Sequence, residues 1–373
     1  MDNKQLSKEE MLQIVEENIS KIENKDFNIY FYVLDTKGNP SGSLEYIYQT
    51  ALVLSKKGYK VTMLHQEKEF VGVEEWLGSE YAALPHKNIE TENVEVSACD
   101  FLFIPEIFTN VMSATKKLPC KRVIILQNYN QISEFMPVGV TPEDLRINDI
   151  ITTTKVQEGI LHDYFPNTRT HVVSPSIKKV FRPATLPQKL IVNIVSKEQT
   201  NVNRIIKPFY WKYPIYKWVS FRDLRGLSQE TFAEALREGA ITIWVDDVSN
   251  FGYSALEAMR CGSILLSKIP QTLTDWNVEK DENGEEHLTD ACVWFDHVDR
   301  VPDILASVIR TWTLDKIPST VYEREHKFDT LYTPEAQESE IEKVYEKEIF
   351  GKRLNDFKEV RDQFNNTTEK VEE

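Results

Sequence analysis

At 373 residues, with 41% hydrophobic and 11% aromatic content, the chain carries enough apolar material for two cores, and two domains are expected. A net charge of −15 argues against a broad nucleic-acid or anionic-membrane footprint, although a local basic patch can survive on an acidic protein. There is no run of about 18 apolar residues, the N-terminus is acidic and polar, and four cysteines are scattered without C-x-x-C spacing. Stable membrane insertion, a signal peptide and a disulfide frame are therefore not expected, and the composition points to the cytoplasm.

Residues 1–26 read as an amphipathic helix with Leu12, Val15, Ile19 and Ile22 on one face. From Phe27 the pattern becomes α/β: FNIYFYVLD is a strand, TKGNPSGS a loop, LEYIYQTALVLSKKG a helix and YKVTMLH a second strand. That is a right-handed βαβ unit, and Gly38 and Gly42 do not supply the G-x-G-x-x-G of a dinucleotide site. Further strands are expected at 100–104, 122–127 and 149–154, whereas residues 70–88 have weak periodicity and receive no element. Pro-bearing residues 183–188 mark the domain boundary, and KLIVNIVS opens the second domain as a strand.

Residues 204–225 alternate six basic and seven aromatic side chains with only Asp223 opposing. One reading is a stacking and phosphate-tracking surface for single-stranded or flipped-out nucleic acid. The other, preferred for an acidic protein, buries the aromatics, Trp211 and Trp218 included, in a strand and helix of the second domain.

The most informative stretch is 240–262. AITIWVDD reads as a buried parallel strand, Gly252 permits a tight turn, and a helix follows from about Ser254. The N–H groups of Tyr253, Ser254, Ala255 and Leu256 would then face outward from a helix N-terminus, which suits an anion, and Glu257 could accept hydrogen bonds from sugar hydroxyls. SILLSKIP is a further strand, 275–290 an acidic loop, 291–312 a strand, turn and helix, and 334–349 and 352–364 the closing helices. No P-loop, H-E-x-x-H or G-x-S-x-G is present, and the histidines are dispersed. Asp246-Asp247 reads as a loop start, so no metal is expected.

Phe251, Gly252, Leu256, Glu257, Ala258, Met259, Cys261 and Gly262 stand where retaining, nucleotide-sugar-dependent GT-B-fold glycosyltransferases carry the second half of an E-x7-E motif. Ser249 replaces the first Glu of that motif. Residues 42–45, continuing to KKGYKVTML, resemble the G-G-x-E…G-H-x-V opening of the same proteins, and VSFRDLRGLSQETF resembles the segment beside their donor base.

The resemblance implies an α/β chain of two Rossmann-like domains facing a cleft. Residues 1–26 would be an N-terminal helix, 27–185 the acceptor-side domain, 186–335 the nucleotide-sugar domain and 336–373 crossover helices and tail. It implies hexosyl or pentosyl transfer from a nucleotide-diphosphate sugar, without metal or other cofactor and with retention, to an unidentified glycan, protein, lipid or nucleic-acid base. Donor-binding residues would be Gly42, Lys197, Arg204, Lys207, Ser249, Asn250, Phe251, Gly252, Tyr253, Ser254, Ala255, Leu256 and Glu257. Glu257 is the leading catalytic candidate, and Asp35 and Glu106 are candidate bases should the chemistry invert configuration. Ser249 also raises a binding subunit that has lost catalysis, and the basic aromatic stretch raises an enzyme that glycosylates modified DNA bases.

Overall fold

The computed structural model describes residues 7–246, 251–313 and 331–369. Two parallel sheets dominate it. The first joins β1 (Asn28–Tyr32), β2 (Lys60–His65), β3 (His86–Asn88), β4 (Phe101–Pro105), β5 (Lys121–Leu126), β6 (Asp149–Thr152) and β7 (Arg169–Val172), in the order β3-β2-β1-β4-β5-β6-β7. The second joins β8 (Lys189–Ser196), β9 (Ser220–Asp223), β10 (Gly239–Val245), β11 (Ile264–Lys268) and β14 (Val293–Phe295), in the order β14-β11-β10-β8-β9. Between β11 and β14, β12 (Val278–Lys280) and β13 (Glu286–Leu288) form an antiparallel hairpin. Every residue of β4 and β10 is buried, as expected where helices cover both faces of a parallel sheet. Strand order reverses between β1 and β4 and between β8 and β10, so the carboxyl ends of those strands open the crevices in which α/β proteins place ligands.

The helical extensions close on the first sheet. The helix Pro334–Ile341, a π-helical stretch Glu342–Phe350 and the helix Gly351–Glu369 run as one segment, and Ile341, Val344, Tyr345, Ile349 and Phe350 enter the core around Phe31 and Phe103. The N-terminal helix Lys8–Glu23, started by a Ser7/Glu10 capping box, packs on the last of them, with Lys358 paired to Glu23 at 2.7 Å.

A buried ion cluster pins this return. Asp149 is fully buried and meets Lys121 Nζ at 2.5 Å, the Arg169 guanidinium at 2.8 and 2.9 Å, and His171 Nε2 at 3.1 Å. His171 Nδ1 lies 2.7 Å from Glu348 of the π-helical stretch. Burial opposes the Asp149 charge, but the His171 and Arg169 hydrogen bonds and the Lys121 charge outweigh it and depress its pKa. For His171, burial is likewise outweighed, by Asp149 and Glu348, and its pKa is raised.

Three expectations need correction. Residues 275–290, expected as an acidic loop, fold back on themselves as the β12–β13 hairpin. Residues 70–88 contain the short helices Glu74–Leu77 and Ser79–Ala82 followed by β3; four-residue helices are too short to show a period. Trp211 and Trp218 are exposed, at 75% and 59%, and not buried. The helix Gln199–Lys212 turns Val202, Ile205 and Phe209 inward, which leaves Trp211 on the solvent side, and Trp218 precedes the start of β9.

Candidate functional site

A cavity of about 400 Å³ lies between the sheets. Residues 39–42, Glu45 and Trp76 line it from the first domain. From the second come Val195, Ser196 and Lys197 at the end of β8, residues 224–227 after β9, and Gln229. Trp244, Val245 and Asp246 at the end of β10, with Tyr253, Ser254 and Glu257, complete that wall.

Gly252 sets the geometry of this wall. Its φ of 78° is left-handed, and a Cβ there would meet Trp244 at 3.0 Å and Trp276 at 3.1 Å, so only glycine satisfies both backbone and packing. Trp276 Nε1 donates to the Phe251 carbonyl at 2.6 Å and fixes the approach to the turn. The following helix, Tyr253–Arg260, uses the Gly252 carbonyl to accept from both Ala255 and Leu256. The outward donors thus reduce to the N–H groups of Tyr253 and Ser254, because this carbonyl closes the first turn on the other two.

Glu257 is buried at the cavity floor, 6% exposed. Burial first, then the charge of Glu45, push its pKa well above the usual carboxylate range against the opposing pull of Lys178. Burial and the Glu45 and Glu257 charges also raise Tyr253, whose buried hydroxyl has no hydrogen-bond partner among the described residues.

The candidate cations separate. Lys197 lines the cavity with its Nζ 3.2 Å from Asp246. Arg204 and Lys207 do not: Arg204 is held by Asp299 at 2.7 and 3.1 Å, and Lys207 is exposed elsewhere on its helix. The core-facing Val202, Ile205 and Phe209 dictate that rotation. Arg225, which the sequence reading did not single out, lines the cavity and forks onto Asp223, with Nε–O distances of 3.0 Å. Its place directly after β9 in a parallel sheet is the signal that could have found it. Ser249 and Asn250 lie outside the described residues, as does Asp247. Phe251, Ala255 and Leu256 are buried in the second-domain core behind the cavity wall.

Asp35 and Glu106 do not line this cavity. Asp35 accepts from the Lys37 and Val71 backbone N–H groups at 2.8 and 3.2 Å, a loop-stapling role. Glu106 Oε1 accepts from the N–H groups of Gln127 and Asn128 at 3.1 and 2.9 Å. Burial lifts its carboxyl to about 7 despite these bonds. With a folded-state pKa above the unfolded one, the native protein holds the proton between about 4.5 and 7, and stability falls as pH rises through that window. Glu106→Gln keeps an oxygen for both N–H groups and removes the titration. Relative to the parent, urea denaturation should show it gaining on the order of 2–3 kcal/mol between pH 5 and 8.

Among the described residues no helix is long and apolar enough to cross a membrane, and no group of three or more His, Cys, Asp or Glu side chains could hold a metal ion. No protein-family model matches the chain. An α-1,6-glucosyltransferase of Actinobacillus pleuropneumoniae serotype 7 (strain AP76) is 24% identical over 249 residues, which span 64% of this chain and 72% of that protein. Among solved structures, sucrose-phosphate synthase from Thermosynechococcus elongatus superposes with a TM-score of 0.57 at 11% identity, covering 86% of this chain and 98% of its own. The pneumococcal O-GlcNAc transferase GtfA, in complex with UDP and GlcNAc, gives 0.52 at 9% identity over 91% and 99%. The catalytic domain of starch synthase IV from Arabidopsis thaliana, bound to ADP and acarbose, gives 0.53 at 11% over 88% and 99%. The fold is thus two Rossmann-like domains facing a cleft, the arrangement these solved structures share.

Proposed function

We propose that the protein transfers a hexosyl group from a nucleotide-diphosphate sugar, bound in the cavity between the sheets, to an acceptor on the first-domain side. One observation carries this reading: Lys197, Arg225, the Tyr253 and Ser254 N–H groups and the buried Glu257 all converge at the strand-order reversal of the second sheet. Glycosyl transfer through an oxocarbenium-like transition state needs a stabilised diphosphate leaving group. Two cations and a helix N-terminus provide that stabilisation without a metal. Glu257 is suited to the donor's hydroxyls, and the aromatic walls at Trp76, Phe232 and Trp244 to its apolar ring faces. The glucosyl activity in the sequence relative's name and the UDP and ADP in the neighbouring structures favour a hexose on a nucleoside diphosphate. Retention of configuration follows if the chemistry is that of the family the motif resembles.

A DNA-base acceptor would require the basic aromatic stretch near the cavity. Of that stretch Leu224 and Arg225 line the cavity, whereas the exposed aromatics Trp211 and Trp218 do not.

The test is charge reversal. Lys197→Glu with Arg225→Glu should weaken nucleoside-diphosphate binding at least about tenfold by calorimetry at fixed ionic strength, whereas Arg204→Glu with Lys207→Glu should leave it within about twofold. Equal affinity for the Lys197/Arg225 variant and the parent would overturn the assignment.

A further inference from the structure

We propose that Glu45 is a positioning residue: it latches the two domains into the separation that the donor needs, through Lys178 of the connector and Gln229 of the second domain. The proposal rests on the glycosyl-transfer reading for its kinetic consequence, but its structural basis is independent of that reading.

Glu45 stands one turn into the helix Gly42–Lys56 and is 6% exposed. Its Oε2 accepts from Gln229 Nε2 at 2.8 Å, and its Oε1 accepts from Gln49 Nε2 at 3.0 Å and lies 3.5 Å from Lys178 Nζ. Lys178, between β7 and β8, closes the triangle by donating to Gln229 Oε1 at 2.7 Å, and its Nζ sits 4.6 Å from the Tyr81 ring centre. Three chain segments are thereby tied at one buried point. Gln229 begins the helix Gln229–Glu238 directly after its cap Ser228, and the loop before that cap carries Arg225. Three residues before Glu45, Gly42 has no side chain where a Cβ would fall 2.8 Å from the Tyr253 ring, so the opposite wall closes against bare backbone. The latch and this contact together set the width of the cavity.

Domains joined within a chain move relative to each other unless their interface prevents it, and a satisfied buried polar network fixes one arrangement. Without the latch the closed arrangement becomes a minor population, and apparent donor affinity falls by that fraction; saturating donor restores closure. Glu45→Ala should therefore raise the donor KM at least about tenfold while kcat stays within about threefold. Small-angle scattering of the ligand-free variant should show a larger radius of gyration than the parent, returning to the parent value with saturating nucleoside diphosphate. Gln229→Ala, which cuts the same bond from the other domain, should reproduce both effects and add little to Glu45→Ala. Glu45→Gln, which keeps an acceptor for Gln229, should recover part of the loss.

An unchanged radius of gyration in both alanine variants overturns the latch, as does an unchanged KM in an active protein. If the parent itself neither binds nor transfers a nucleotide sugar, the functional reading falls instead. The ligand-free scattering still decides the latch, so the two failures are distinguishable.

Discussion

Replacing Gly252 by alanine should destabilise the protein by about 2–4 kcal/mol and abolish measurable nucleoside-diphosphate binding. The first part adds the cost of a left-handed backbone for a residue with a Cβ, about 1 kcal/mol, to overpacking in a filled core, about 1–3 kcal/mol. The clash is with two tryptophans held in place: Trp244 at 3.0 Å within β10, and Trp276 at 3.1 Å, anchored to the Phe251 carbonyl. Relief requires moving the turn, and the turn aims the Tyr253 and Ser254 N–H groups. Urea denaturation checks the stability and calorimetry the binding. A variant with parental values for both would mean that the turn is not needed in this conformation.

Asp149→Asn should cost about 3–5 kcal/mol, because it keeps the side-chain shape but removes the negative charge that Lys121, Arg169 and His171 share. The pH dependence has two arms. Asp149 has a depressed pKa, so its stabilisation is present above its unfolded value near 4 and is lost as pH falls toward the folded one. His171 has a raised pKa, so its contribution is full below about 6.5 and is lost as pH rises through its folded value. In denaturation curves across pH the variant should lose the acid arm and flatten the alkaline one. Since Glu348 joins this cluster from the π-helical stretch, hydrogen exchange should also rise in residues 342–350. A loss below about 1 kcal/mol would show the cluster to be dispensable.

The central strands of both sheets were legible in the sequence because they are buried on both faces and read as largely apolar runs, NIYFY, FLFIP, KRVIIL and GAITIWV, whereas the edge strands β3 (HKN) and β9 (SFRD) are partly exposed and carry no such run. The turn at Gly252 and the helix after it were legible for a local reason, since glycine followed by an amphipathic run carries its own geometry. The cations were not. Lys197, Arg204, Lys207 and Arg225 look alike in sequence, and only the inward rotation of Val202, Ile205 and Phe209 decides that Arg204 and Lys207 face away. The aromatic stretch misled for the same reason: Phe209 is fully buried, while Trp211, two positions on, is not. The Glu45 cluster was beyond reach, because Glu45 meets Gln229 across 184 positions and no local pattern encodes that pairing.

Hydrogen exchange with and without a nucleotide-diphosphate sugar tests the central claim most directly. If the cavity between the sheets holds the donor, saturating ligand should slow exchange in residues 196–197, 224–229 and 253–257 and, across the cleft, in 41–45. Saturable binding that leaves all four segments at their ligand-free rates would contradict the account.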